Sequence, residues 1–209
     1  MENKVTNSLN LGARQADVGR AKRLREATRE MHERLDKSIM MHKAFESRAR
    51  YGLFVKVQHQ FHREIDALYA NQVLDKLLPD LWGRRRFDLI ERDLVDLRVT
   101  VPSLVAPPAF ASSTEADLPT ALGWLYVAEG SNLGAAFLLN EARKLGLSET
   151  FGARHLAGAP EGRGLHWKTF TVALDGVSLT GPEEERVIAG ARAAFACVQR
   201  LANEVFLAH

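Results

Sequence analysis

Leu24, Thr28, Met31, Leu35 and Ile39 recur at spacings of three and four residues between Arg20 and Met40, the period of one face of an α-helix. A longer stripe runs through Tyr51, Phe54, Val55, Phe61, Ile65, Leu68 and Tyr69, and Gln58 and His62 fall inside it instead of opposite it. Shorter helical patterns cover 71–78, ended by Pro79, and 84–97. The stretch 118–145 also reads as helix, although it carries Gly123, Gly130 and Gly134. An interior glycine costs about 1 kcal/mol relative to alanine, so two of them one turn apart call for a reason. A helix over 165–175 follows. The last begins at Thr180, with Pro182 in its first turn and Glu183 placed for a capping box. Its apolar face holds Val187, Ile188, Ala191, Phe195, Val198, Ala202 and Val205. Segments 99–116, with Pro102, Pro107 and Pro108, and 146–164, rich in glycine, read as loops. No strand alternation and no internal repeat interrupts this pattern. The expectation is an all-α single domain over 19–209, preceded by a loose polar leader at 1–18.

Composition narrows the chemistry. With 46% apolar and 26% charged residues, the 209-residue chain can bury a substantial core. Its single cysteine excludes a disulfide framework and any thiolate-cluster metal site. A net charge of +2 is too small for a nucleic-acid footprint. No apolar run approaches the ~18 residues of a membrane span, and no signal-peptide core precedes the first helix, so the expected setting is the cytoplasm. Seven histidines remain as the candidates for metal chemistry.

Three constellations stand out. Arg25, His32 and Asp36 share one face of the first helix, with Arg25 roughly 10 Å along the axis from His32 at 1.5 Å per residue. That is about the separation between an axial imidazole and a carboxylate of a heme lying along the helix, although a solvated surface histidine fits the spacing equally. Gly130 and Gly134 fall on one side of their helix, where main chain can approach a flat ligand or a neighbouring helix. Gln58 and His62 on an apolar stripe need partners, either waters leading to a site or one another. His59 and His62 lack a carboxylate to complete a metal site. No Glu-x-x-His, G-x-S-x-G, Walker A or G-x-G-x-x-G occurs. Gly83 to Arg86 reads as a solvated helix start, and Cys197 as a small buried hydrophobe.

The segments LREATREMHERLD, KVQHQFHREIDALY, GWLYVAEGSNLGAAFLL and FGARHLAGAPEGRGLHWKTF, in this order, resemble the bacterial heme oxygenases, in particular the branch of heme-scavenging pathogens. The likeness spans 21–206 and leaves the leader outside. It implies an all-α fold with heme between a proximal helix and a kinked distal helix. It makes His32 the iron ligand and sets Gly130, Ser131 and Gly134 against the heme face. Arg25 and Tyr126 match propionate contacts. Gln58, His62, His155, Trp167 and Asp36 match a polar, water-bearing network around the distal pocket that carries protons.

The resemblance further implies a monomeric enzyme that is bound to no membrane or nucleic acid. Heme is then both cofactor and substrate, cleaved with O2 to biliverdin, CO and ferrous iron, for iron acquisition or for supply of bilin to a photoreceptor. Electrons come from an external donor, a ferredoxin or an NAD(P)H-dependent reductase. Members that cut at an unusual meso carbon carry Asn, Phe and Lys where this chain has Arg25, Tyr126 and Glu141, which implies the α-meso branch. A non-catalytic heme carrier or sensor on the same fold is the alternative.

Overall fold

The structure is a computed structural model that describes residues 19–100, 106–112 and 115–208. The expected leader, parts of the proline-rich loop and His209 lie outside the described residues. Seven α-helices occur among those described: α1 (Arg20–Met41), α2 (Arg48–Tyr69), α3 (Gln72–Leu77), α4 (Phe87–Asp96), α5 (Leu118–Lys144), α6 (Arg163–Gly176) and α7 (Gly181–Leu207). Two short 3-10 turns, Trp82–Arg84 and Arg154–Leu156, join them. The β contacts among these residues are isolated bridges at Ser148.

Local chemistry sets the helix starts. Ser47 accepts from the Arg50 N–H, Asn71 from Val73 and Leu74, and Asp117 from Thr120, each satisfying first-turn donors that have no intrahelical acceptor. The capping box expected at Thr180 is present, with the Thr180 N–H donating to Glu183 at 2.7 Å. α1 begins at Gly19 without a side-chain cap of its own. Its first turn is instead held from outside: the Ala21 N–H donates to Asp175 at 2.8 Å, and buried Arg20 donates to the Leu174 and Val177 carbonyls and to Glu184.

α7 is the central packing element. Both α1 and α5 lie along it while making little contact with each other, which leaves a gap between their outer faces. The α5–α7 crossing is close enough to require glycine on both sides. A Cβ on Gly123 would sit 2.2 Å from the Val187 carbonyl oxygen, and one on Gly190 would sit 2.4 Å from that of Thr120. Leu24, Tyr51, Ile65, Leu94, Leu122, Leu125 and Phe170 fill the core around this crossing. α5 is assigned as one uninterrupted helix through all three of its glycines.

Two sequence expectations need adjustment. The pattern at 84–97 begins as a 3-10 turn, and α4 proper starts at Phe87, because Arg84 is drawn into the core by a buried ion pair. α6 starts at Arg163, two residues earlier than its apolar pattern, since Arg163 and Gly164 contribute no periodic signal.

Candidate functional site

α1 turns Arg25, His32 and Asp36 outward. The His32 side chain is 61% exposed and its Nδ1 lies 3.0 Å from the Asp36 carboxylate. This hydrogen bond, with the Asp36 charge behind it, raises the His32 pKa against the opposing effect of partial burial. It also leaves Nε2 as the ring nitrogen open to a ligand, and the ring edge rests on Phe195 of α7 at 5.8 Å. Asp36 was expected in the distal network. In the structure it lies beside His32, four residues on along the same helix, and its carboxylate pairs with that ring.

Across the gap, α5 presents Tyr126, Gly130, Leu133, Gly134 and Phe137, whose spacings of three and four place them in one stripe. Leu133 and Phe137 are 46% and 54% exposed. They lie one turn apart and so form an apolar patch beside the glycines. A Cβ on Gly130 would make ordinary contact with the Trp167 ring at 3.5 Å, and one on Gly134 would meet nothing within 4 Å. These two glycines are therefore not required by packing, unlike Gly123. Ser131, next to Gly130, is exposed, and its hydroxyl donates back to the Ala128 carbonyl at 2.7 Å. Tyr126 packs against Trp167 at 5.5 Å, and burial raises its pKa while the nearby positive charge of Arg25 lowers it. Arg25 of α1 and Tyr126 of α5 thus approach each other at one end of the gap.

Behind this surface lies a buried polar region. Gln58 is half-buried, while His59, His62 and His155 are buried. Burial, with the charges of Arg86, His155 and His59, holds the His62 pKa down to about 3, so its ring is neutral at physiological pH. His155 Nδ1 pairs with Asp93 at 2.8 Å. His59 packs on Phe87 at 4.9 Å and belongs to the core.

The arginines at 84 to 86 correct the solvated reading. Arg84 is 4% exposed and pairs with buried Glu129 at 3.2 Å, and Tyr69 donates to the same carboxylate at 3.1 Å. Arg85 pairs with Asp66 and Asp88, and Arg86 donates to the His155 and Ala157 carbonyls. His166 lies between Glu161, 2.7 Å from Nδ1, and Glu129, 3.6 Å from Nε2. Asp93, Arg86 and Glu129 escaped the sequence reading. A signal existed for two of them, because Asp93 lies in register with Ile90, Leu94 and Leu97, and Glu129 interrupts a run of buried α5 residues. Cys197 is half-buried, with Arg200 donating towards its sulfur at 3.8 Å.

No group of three or more His, Cys, Asp or Glu side chains among the described residues could hold a metal ion by itself. Among these residues the exposed His32 imidazole stands alone as a donor on its face. The fold and site therefore define an all-helical protein that presents an exposed histidine on α1 and a glycine and apolar stripe on α5. The chain belongs to the heme oxygenase family, whose model matches residues 19–204. It is 43% identical to heme oxygenase PigA of Pseudomonas aeruginosa over 178 residues, 84% of this chain and 87% of that protein. It is also similar to the heme oxygenase of Neisseria meningitidis solved with NO and CO bound, at 39% identity and a TM-score of 0.84, covering 90% of this chain and 92% of that one. The heme oxygenase of Leptospira interrogans has the same fold at 20% identity, with a TM-score of 0.71 over 90% of this chain. No helix among the described residues is long and apolar enough to cross a membrane.

Proposed function

We propose that this enzyme cleaves heme oxidatively at the α meso carbon, releasing biliverdin, CO and ferrous iron, with O2 as oxidant and electrons from an external ferredoxin or reductase. The observation that carries the reading is the exposed His32, braced by Asp36 on α1, together with the exposed glycine and apolar stripe on α5, two helices that both pack on α7 and scarcely touch each other. Heme seated there supplies both the redox iron and the ring that is consumed.

His32 would hold the iron through Nε2, with Asp36 bonded to Nδ1–H and making the imidazole a better donor. Arg25 and Tyr126 take the propionates, the first as a charge and fork, the second as a hydroxyl donor. Gly130, Ser131 and Gly134 would let the α5 main chain approach the heme, since positions 130 and 134 carry no side chain to hold a flat ring away. Gln58, His62, His155 and Trp167 border the interior through which waters pass protons. Neutral His62 suits that task, since a fixed positive charge would trap a proton there instead of passing it. The positions that would rotate the heme carry Arg25, Tyr126 and Glu141, and Glu141 is paired with Lys144 at 2.6 Å, which favours the α isomer. The protein acts as a cytoplasmic monomer in iron acquisition.

The test is addition of an electron donor and oxygen to the heme complex. Loss of the Soret band with extraction of biliverdin IXα by chromatography is expected. A persistent Soret band without biliverdin refutes the enzymatic reading in favour of a carrier or sensor, and another isomer refutes the regiochemistry alone.

A further inference from the structure

Asp93 is a buried carboxylate, 0% exposed, at the inner face of α4. It accepts four hydrogen bonds. The Arg154 N–H and Nη1 reach Oδ1 at 3.0 and 3.1 Å, and the His155 N–H and Nδ1 reach Oδ2 at 3.0 and 2.8 Å. Burial pushes the Asp93 carboxyl up, but these donors outweigh it and hold the group ionised below its ordinary value. An ionised carboxylate can only accept, so the short contact to Nδ1 requires the proton to be on Nδ1. The His155 ring is itself lowered in pKa by burial, so it is neutral and its Nε2 carries a lone pair.

That Nε2 is buried and meets no protein donor. Buried acceptors in this position are ordinarily served by water. His155 and Arg86 both disfavour protonation of His62, which places the His155 ring near His62 in the buried polar region. On the far side, Arg154 joins Asp93 to Asp96 at the surface, where Asp96 also accepts from the Gly152 N–H at 2.8 Å. The carboxylate is thereby fixed from the solvent side and does not turn away from the ring.

We propose that Asp93 is a positioning residue that locks His155 in the Nδ1–H tautomer, so that Nε2 stands as an acceptor in the water path delivering protons to the heme pocket. This rests on the reading of His155 as part of that path. The other tautomer would present an N–H inward and reverse the direction in which the site orders water. The same dependence of a histidine on a carboxylate governs hydrolase triads, where exchange of Asp for Asn selects the wrong tautomer.

The tautomer is read directly by two-bond nitrogen–proton correlation of the imidazole rings in nitrogen-15-labelled, heme-free protein. In the wild type His155 should show a protonated Nδ1 and an unprotonated Nε2 at neutral pH. An Nε2–H tautomer or a doubly protonated ring overturns the proposal without any variant. Asp93→Asn should convert His155 towards Nε2–H and lower kcat by about tenfold or more, while leaving the heme dissociation constant within about twofold. A converted tautomer with unchanged kcat overturns the relay role. Asp96→Asn removes the neighbouring Arg154–Asp96 pair but leaves the Asp93 contacts to Arg154, to the His155 N–H and to the ring in place, and should keep both tautomer and kcat. An equal loss in that variant marks the effect as structural and overturns the proposal. Should Asp93→Asn fail to fold, His155→Gln still donates to Asp93 but offers no inward ring nitrogen, and normal turnover by it is equally fatal. Failure of the wild type to consume heme would refute the enzymatic reading and leave the tautomer result standing.

Discussion

Alanine at each of three α5 glycines should give three different outcomes, because the space around the missing Cβ differs. At Gly134 a Cβ meets nothing within 4 Å, and at Gly130 it reaches only the Trp167 ring, at 3.5 Å. In heme-free protein neither methyl clashes, so helix propensity dominates and each variant should gain about 1 kcal/mol. For a chain of this size that is roughly 2–4 °C in Tm. At Gly123 the methyl would sit 2.2 Å from a backbone oxygen of α7, which cannot rotate away, so the variant should lose about 1–3 kcal/mol through displacement of the helices. The order inverts on ligand binding. If the α5 stripe is a heme face, a methyl at 130 or 134 holds the ring off the main chain and forfeits dispersion over the contact. A loss of about 1.4 kcal/mol is already tenfold in affinity. Thermal unfolding of the heme-free variants and hemin titration measure both halves. A Gly134→Ala protein destabilised like Gly123→Ala would show that the glycine serves packing. One that is stabilised, binds hemin normally and turns it over at the wild-type rate would show that no ligand lies against that face.

His32→Ala should lose the native ferric heme spectrum and turnover, with partial recovery on added imidazole; undiminished turnover would mean the ligand lies elsewhere. His62 has a folded pKa of about 3 against an ordinary histidine value of 6.5, so between those values the unfolded chain binds a proton that the folded protein does not. Stability therefore falls as pH drops through the upper value, by up to about 1.4 kcal/mol per pH unit from this residue. Urea unfolding of wild type and His62→Gln on either side of that pH should show a smaller acid penalty in the variant, and an identical penalty would contradict the buried neutral ring. Arg84→Met leaves the Glu129 carboxylate buried with Tyr69 as its remaining close donor and should cost about 3–5 kcal/mol. Adding Glu129→Gln should recover part of that loss, and strictly additive losses would argue against the pair.

The helices were legible because burial follows the period of the chain: the stripe through Tyr51, Val55, Phe61 and Ile65 is the buried face of α2. The cap at Thr180 was legible for a similarly local reason. The role of each glycine was not. Gly123, Gly130 and Gly134 carry the same local cost, and what separates them is the neighbour supplied by α7 or by its absence. The arginine run at 84 to 86 misled for the opposite reason. Charge next to a glycine reads as surface, whereas the Glu129 carboxylate that draws Arg84 inward comes from a helix 45 residues away. The contact of Asp36 with His32 was in plain view in their four-residue spacing.

On the proposed reading, two histidine–aspartate pairs put one chemical motif to two tasks through their different exposure to solvent. In both, Nδ1 faces a carboxylate, at 3.0 Å for His32–Asp36 and 2.8 Å for His155–Asp93. In the exposed pair the ring keeps most of its hydration, so the hydrogen bond prevails and the pKa rises. In the buried pair loss of hydration outweighs the same bond, and the pKa falls. A basic, accessible imidazole is a good σ-donor to a metal that arrives from solvent. A neutral, enclosed one is a poor proton sink but a fixed acceptor, which is what a path for transient protons requires. Exchanging the environments would spoil both, since a buried His32 could not be reached and an exposed His155 would titrate near neutrality. The division of labour between the two pairs therefore resides in burial, a property that neither dipeptide spacing nor residue type encodes.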